Sequence, residues 1–193
     1  MTPPVERRRQ FVHAGLTLLA LTLRWLTDEQ AATLAGGAVV LNWVVLPLLG
    51  LDARLFGRRD GRYLDGVKTY PVAVLLLVLL LPLPVAAAGW AVLGIGDAAS
   101  NLVGRAWGVP PFLGRTDRTG VGTAAFVLLA WPAAFAAHRF VAAGAAPPID
   151  TLALATGAAA LAGALAELVP WPRPVDDNLP IALAAGLACW LLV

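Results

Sequence analysis

The sequence is poor in charge and in cysteine. Only 13% of its 193 residues are charged, whereas 59% are hydrophobic and the mean hydropathy is +0.76. This balance excludes an ordinary water-soluble domain. The single cysteine, Cys189, excludes an internal disulfide and a cysteine-based metal site. Lysine occurs once, and the 13 arginines are spread between apolar blocks, so the net charge of +2 indicates membrane topology and no nucleic-acid partner.

The apolar residues form long blocks of the length that crosses a bilayer, which is about 17 to 25 residues. We therefore expect one domain over 1–193, an all-α, polytopic integral membrane bundle. About seven transmembrane helices are predicted, within a range of six to eight. Their approximate bounds are 11–26, 30–50, 69–81, 84–104, 120–140, 149–168 and 179–193.

The basic residues fall in alternate loops of this scheme. Twelve of the 14 lie on one side, and only Arg24 and Arg139 lie near the other. Because basic loops stay in the cytoplasm, the pattern predicts a cytoplasmic N-terminus and, in a prokaryote, a plasma-membrane location. The first apolar run lacks a signal-peptide cleavage site and contains His13 and Arg24, so we expect it to be retained as a helix.

The end of the fourth predicted span carries two interleaved patterns. Small residues recur every four positions and predict a smooth ridge for a neighbouring helix or for close approach of a ligand: Gly96, Ser100, Gly104 and Gly108. Beside them, Asp97, Asn101 and Arg105 form a polar stripe. A carboxylate in hydrocarbon is costly, so Asp97 indicates a functional site or, alternatively, an ion pair with Arg105 or another arginine that locks two helices.

Four acids are predicted to lie at the same cytoplasmic depth: Asp97, Glu167, Asp176 and Asp177. Like charges do not gather in a low dielectric without cations, and oxygen ligands suit Mg²⁺. For Asp176 and Asp177 a solvated turn with helix capping through Asp177 or Asn178 remains open.

Two further segments have groups that bind phosphate. Arg8 and Arg9 precede the first helix, with His13 about one turn further along as a proton carrier, although topology alone would also explain the arginines. The stretch 110–123 combines Arg115, Arg118, threonines and glycines ahead of a helix, without a P-loop motif. A flexible basic loop is the alternative for this stretch.

Taken together, these segments resemble the CTP-dependent lipid-alcohol kinases, the family of dolichol and phytol kinases and CTP-dependent diacylglycerol kinase, which is distantly similar to phosphatidate cytidylyltransferase. The resemblance covers nearly the whole chain in order. It depends on an RK-x-x-H-like opening at 8–13, Tyr70-Pro71, the GD-x-x-A/S-x-x-x-G-R-x-x-G block at 96–108, a K-T-x-E-G-T-like segment at 118–123, and Glu167 followed by 176–181. In the fourth motif, Arg118 and Val121 replace the family's lysine and glutamate.

The resemblance implies Mg²⁺-dependent transfer of the γ-phosphoryl group of CTP to a membrane isoprenoid alcohol, of the dolichol, polyprenol, phytol or farnesol type, at the cytoplasmic face. It implies Mg²⁺ at Asp97 and Asp177 with Asp176 or Glu167 in support, and Asp97 or His13 as proton acceptor. Nucleotide or phosphate contacts are implied for Arg8, Arg9, Asn101, Arg105, Arg115, Arg118 and Thr119. Synthesis of a CDP-lipid by a cytidylyltransferase is a competing interpretation, and a small transporter or structural membrane protein is another. The sequence does not indicate the oligomeric state.

Overall fold

The computed structural model describes residues 11–51, 63–171 and 176–193, with the backbone alone for 63–67. Within these ranges the chain is all-helical, with no strand and a single isolated bridge between Phe112 and Arg115. Counting unbroken helical stretches, the described residues form seven helices: α1 (Phe11–Trp25), α2 (Asp28–Leu48), α3 (Tyr63–Leu80), α4 (Leu83–Trp107), α5 (Gly120–Ala142), α6 (Ile149–Leu168) and α7 (Asn178–Trp190).

Each helix overlaps one of the predicted apolar blocks. Four of them, α2, α4, α5 (extended to Ala145) and α6, are long and apolar enough to cross a membrane, whereas the described parts of α1, α3 and α7 form shorter apolar helices. The all-helical membrane architecture is therefore supported, and the count of seven spans is not confirmed.

Local signals place several helix ends. Thr27 caps α2 with a complete capping box, since its side chain accepts from Gln30 N and the Gln30 side chain accepts from Thr27 N. Thr119 caps α5 by accepting from Gly122 N. Pro82 separates α3 from α4, because proline lacks the amide hydrogen that would continue the helix.

Helix α4 is the centre of the bundle. In its membrane-length segment 83% of the residues are buried, and it contacts α1, α3, α5, α6 and α7. Helix α2, with 11% buried, packs mainly on α3 at the periphery. Large apolar side chains such as Leu34, Leu128 and Leu154 are exposed on the outer helices, which is the surface expected in contact with lipid.

The interior is built largely from alanine and glycine, which let helix backbones approach closely. Helix α6 shows this packing: Ala155, Ala159, Ala160 and Gly163 are buried. A Cβ atom added at Gly163 would lie 2.6 Å from Val92 and 3.3 Å from Phe126. Small residues thus bring α6 against α4 and α5.

Candidate functional site

A polar cavity of about 200 Å³ lies at the end of the bundle where α1 and α7 begin and α4 ends. Nine residues line it: His13, Asp97, Asn101, Arg105, Asp117, Arg118, Asp176, Asp177 and Asn178. Four carboxylates therefore face two guanidinium groups in a largely apolar protein. This volume is below the roughly 300–1,000 Å³ of pockets that enclose small-molecule ligands.

Asp97 enters the cavity from the central helix. It is 6% exposed and follows directly on a π-helical turn, Val92–Gly96, a distortion that is frequent at functional sites. Asn101, one turn later, donates from Nδ2 to Asp97 Oδ1 at 2.8 Å and to the Asp97 carbonyl at 2.9 Å. The predicted stripe therefore has its first two members in direct contact, and Asn101 orients the carboxylate.

Close approach of α1 to the same turn of α4 brings His13 to the cavity. A Cβ atom at Gly94 would collide with Thr17 Oγ1, so glycine permits this contact. The His13 ring lies 4.6 Å from the Tyr70 ring, and Tyr70 in turn accepts a hydrogen bond of 2.9 Å from Trp90 Nε1. His13 is 8% exposed, and its position is set by packing against α3 and α4.

Arg118 joins three parts of the chain. From the loop before α5 it donates through Nη1 to Glu167 Oε1 at 2.8 Å and through Nη2 to Asp177 Oδ2 at 2.5 Å. Burial alone would lower the pKa of Arg118, but the charges of Glu167 and Asp177 outweigh burial and raise it. The guanidinium is therefore a firmly charged bridge between the end of α6 and the beginning of α7.

Glu167 lies behind this bridge rather than in the cavity lining. It is fully buried, and its Oε1 also accepts from Ser100 Oγ on α4 at 2.8 Å. Its second oxygen, Oε2, has no hydrogen-bond partner among the described residues. Ser100 thus has a polar role in addition to its small size, and this role was not predicted from the sequence.

The beginning of α7 presents an acid pair. Asp176 Oδ1 accepts from Asn178 N at 2.8 Å, and Asn178 Nδ2 donates to Thr69 Oγ1 on α3 at 3.0 Å. Burial and the adjacent charge of Asp177 raise the pKa of Asp176 to about 7. Asp177 is the N-cap residue of α7, but its side chain makes no capping hydrogen bond. Capping through the side chain of Asp177 or Asn178 is therefore not seen, and the side-chain acceptor is Asp176.

The loop between α4 and α5 is held by its own charges. Arg115 donates through Nε and Nη2 to both oxygens of Asp117, each at 3.0 Å, and through Nη1 to the Leu168 carbonyl at 3.1 Å. The hydrogen bonds from Arg115 lower the pKa of Asp117, although burial acts in the opposite direction. In the described structure Arg115 supports the loop and does not line the cavity.

Thr119 has a similar structural position. It caps α5 and packs closely against Gly104 and Gly108, so the small-residue ridge serves a neighbouring helix. A Cβ atom at Gly96 would lie 2.5 Å from the Phe126 ring of the same helix α5. Of the two explanations for the ridge, helix packing is the one seen here.

The structure thus brings together many of the predicted residues. Lining the cavity are His13, Asp97, Asn101, Arg105, Arg118, Asp176 and Asp177; Glu167 is bound to Arg118; Arg115 and Thr119 lie outside the lining. Arg8 and Arg9 lie outside the described residues. Sequence reasoning did not select Asp117 or Asn178 as site residues, although each is adjacent to a selected residue.

The donor set of the cavity fits a cation that arrives with phosphates. Among the described residues no group of three or more His, Cys, Asp or Glu side chains could hold a metal ion by itself. Asp97, Asp176 and Asp177 nevertheless line one cavity, and Mg²⁺ is commonly held by one or two carboxylates together with substrate phosphates. The residues are therefore compatible with Mg²⁺ bound as a nucleotide complex.

Comparisons of the chain with protein families, curated proteins and solved structures gave no match in any of the three.

Proposed function

We propose that this protein is an integral membrane, CTP-dependent lipid-alcohol kinase that transfers the γ-phosphoryl group of CTP to a membrane isoprenoid alcohol of the dolichol, polyprenol, phytol or farnesol type. The observation that carries the proposal is the cavity lined by Asp97, Arg118, Asp176 and Asp177 at one end of an apolar helical bundle. The order of the motifs, which resembles that of the lipid-alcohol kinases, supports the same function.

Phosphoryl transfer requires mainly positioning and charge neutralisation, and different residues of the cavity provide each. Arg118 and Arg105 bind phosphate oxygens, and Asn101 holds Asp97 in a fixed orientation. Asp97 and Asp177, supported by Asp176 or Glu167, are the residues that would hold Mg²⁺. When bound, Mg²⁺ supplies charge neutralisation on the phosphates.

Removal of the hydroxyl proton requires an acceptor in the same cavity. Asp97 and His13 both line it and approach from different helices, α4 and α1. A carboxylate suffices, because in a loose transition state the proton leaves late. Asp97 and His13 are therefore the two candidates, and substitution of each distinguishes them.

The position of the cavity at one end of the bundle suits a reaction between a lipid and a water-soluble nucleotide. The tail of the alcohol stays in lipid while its hydroxyl meets a water-soluble nucleotide at the membrane boundary. We place that boundary on the cytoplasmic side of a prokaryotic plasma membrane, with seven spans, because 12 of the 14 basic residues fall on one side of that topology. The cavity would lie on this side.

Labelled CTP tests the proposal. The protein, purified in detergent or nanodiscs with Mg²⁺, is offered CTP, ATP or UTP together with farnesol, phytol, polyprenols or diacylglycerol. Label from the γ-phosphate in lipid is the expected result for the kinase. Label from the α-phosphate in lipid would instead identify a cytidylyltransferase, and no labelled lipid from any pair would contradict both activities.

One observation favours a second function, that of a structural membrane protein or small transporter whose acids are merely ion-paired. Arg118 forms ion pairs with both Glu167 and Asp177. That function predicts no Mg²⁺-dependent binding of CTP to the purified protein. Calorimetric titration of CTP with and without Mg²⁺ separates the two functions.

A further inference from the structure

The buried carboxylate of Glu167 needs a cation. It is fully buried at the end of α6, where an ionised carboxylate without a partner would be very costly. Arg118 supplies the charge and Ser100 a hydrogen bond, both to Oε1. Oε2 has no hydrogen-bond partner among the described residues, so Glu167 retains an acceptor oxygen that no protein donor uses.

Arg118 is placed as a bound cation would be, between acids from two different helices. It contacts Glu167 on α6 and Asp177 at the beginning of α7, yet it also lines the cavity and is itself only 12% exposed. Its Nε donor is buried without a hydrogen-bond partner among the described residues. The same guanidinium can therefore bind either these carboxylates or a phosphate in the cavity, since its planar fork matches both.

The charge of the cavity favours such an exchange. Four carboxylates against two guanidiniums leave an excess of two negative charges when all are ionised, before any phosphate enters. A polyphosphate would be repelled unless it brought a divalent cation and gained an arginine. If Arg118 turned to the phosphates, Glu167 and Asp177 would lose their counter-ion and become ligands for that cation.

We infer that Arg118 is an internal counter-ion that is exchanged when nucleotide binds. In the structure it holds Glu167 and Asp177. When phosphates enter the cavity, it binds their oxygens and gives up both carboxylates to the accompanying divalent cation. This inference rests on the proposed function for the nature of the ligand. No covalent bond forms or breaks in the exchange.

The exchange requires that Arg118 and a divalent cation compete for Glu167 and Asp177. Binding of Mn²⁺ to the purified protein without nucleotide, followed by electron paramagnetic resonance, tests this requirement. R118Q should bind Mn²⁺ about tenfold more tightly than the wild type, a change of about 1.4 kcal/mol, because two carboxylates lose their competing cation. R139Q is the matched control, since Arg139 is exposed near the far end of α5, and it should leave the affinity unchanged.

Two double variants distinguish the release of the Glu167 carboxylate as a ligand from a general change in the charge of the cavity. In the R118Q background, E167Q should abolish the gain. D117N removes an equal charge from the cavity lining but should abolish little of the gain, because Asp117 keeps its two hydrogen bonds to Arg115 when its 4.0 Å contact with Arg118 is lost. An equal loss in both, or no gain in folded R118Q, would overturn the inference. If R118Q does not fold, R118K keeps a cation but not the two-pronged contact; an intermediate gain of about threefold supports the inference and no gain overturns it.

The measurement contains no nucleotide, so its failure is distinct from failure of the kinase proposal. Tighter Mn²⁺ binding in R118Q, together with no CTP-dependent lipid phosphorylation by the wild type, would support the counter-ion role of Arg118 and refute the kinase proposal. Lipid phosphorylation by the wild type, together with equal Mn²⁺ affinities of the wild type and R118Q, would support the kinase proposal and refute the counter-ion role of Arg118.

Discussion

Substitution of Gly96 by alanine tests the packing that positions Asp97. The added Cβ would lie 2.5, 2.6 and 2.8 Å from three atoms of the Phe126 ring, closer than real Cβ atoms approach. Phe126 is fully buried, so the ring has little freedom to move away. Helix α4 or α5 must therefore shift to accept the methyl group.

The size of the effect follows from two opposing contributions. Overpacking a filled core costs about 1–3 kcal/mol, whereas replacing a helical glycine by alanine gains about 0.5–1 kcal/mol. We expect G96A to lose about 1–2 kcal/mol of stability, or roughly 2–8 °C in Tm for a chain of this length. Thermal unfolding in detergent, followed by tryptophan fluorescence, measures this loss.

Gly36 provides the matched control. It lies in the peripheral helix α2, and a Cβ atom there would meet nothing within 4 Å. G36A should therefore be neutral or stabilising by up to about 1 kcal/mol. F126L in the G96A background should recover part of the loss, because leucine is smaller than phenylalanine. A Tm for G96A equal to or above that of the wild type would refute the proposed packing of α4 on α5.

Three further predictions concern the polar site. E167Q should destabilise the protein by about 1–3 kcal/mol in chemical or thermal unfolding, because Arg118 loses its 2.8 Å ion pair with a fully buried carboxylate. Stability equal to the wild type would show that the ion pair contributes nothing. T119A should lower the free energy of unfolding by about 1 kcal/mol, because the hydrogen bond from Gly122 N is lost, whereas T119S should keep both stability and CTP affinity. A large loss of CTP affinity in a stable T119S would show that the threonine has a ligand-binding role that the structure does not show. The pKa of Asp176 is raised from 3.8 to about 7, so the folded protein binds this proton more tightly than the unfolded chain does, and stability in cation-free buffer should decrease as the pH rises from about 4 to 7. D176N should reduce this decrease. A pH profile of D176N equal to that of the wild type would show that Asp176 does not have the raised pKa.

Much of the helical layout could be predicted, because apolar blocks of membrane length in a chain with so little charge allow few alternatives. The predicted block 149–168 coincides with α6, and 179–193 differs from α7 by one residue at its beginning and three at its end. Helix α3 begins at Tyr63, six residues before the predicted 69–81. Hydropathy does not detect such a start, since polar residues continue a helix beyond its apolar part.

The partners of the site residues were harder to predict. Spacing on one helix placed Asn101 next to Asp97, because i and i+4 share a face. The bridge from Arg118 to Glu167 and Asp177 joins residues 49 and 59 positions apart in the chain, and no local pattern encodes such contacts. The π-helical turn before Asp97 was also missed, because Gly96 fits the predicted packing ridge equally well.

The central claim is tested most directly by the initial rate at which γ-labelled CTP phosphorylates an isoprenoid alcohol in the presence of Mg²⁺. D97N removes the charge of the carboxylate at the centre of the cavity, and the matched control D28N removes an equal charge at the beginning of α2, at the other end of the bundle. The account predicts transfer by the wild type and by D28N, and a rate at least about 100-fold lower in folded D97N. Transfer by D97N at the wild-type rate would contradict the assigned site, and absence of transfer by the wild type with every alcohol offered would contradict the proposed kinase.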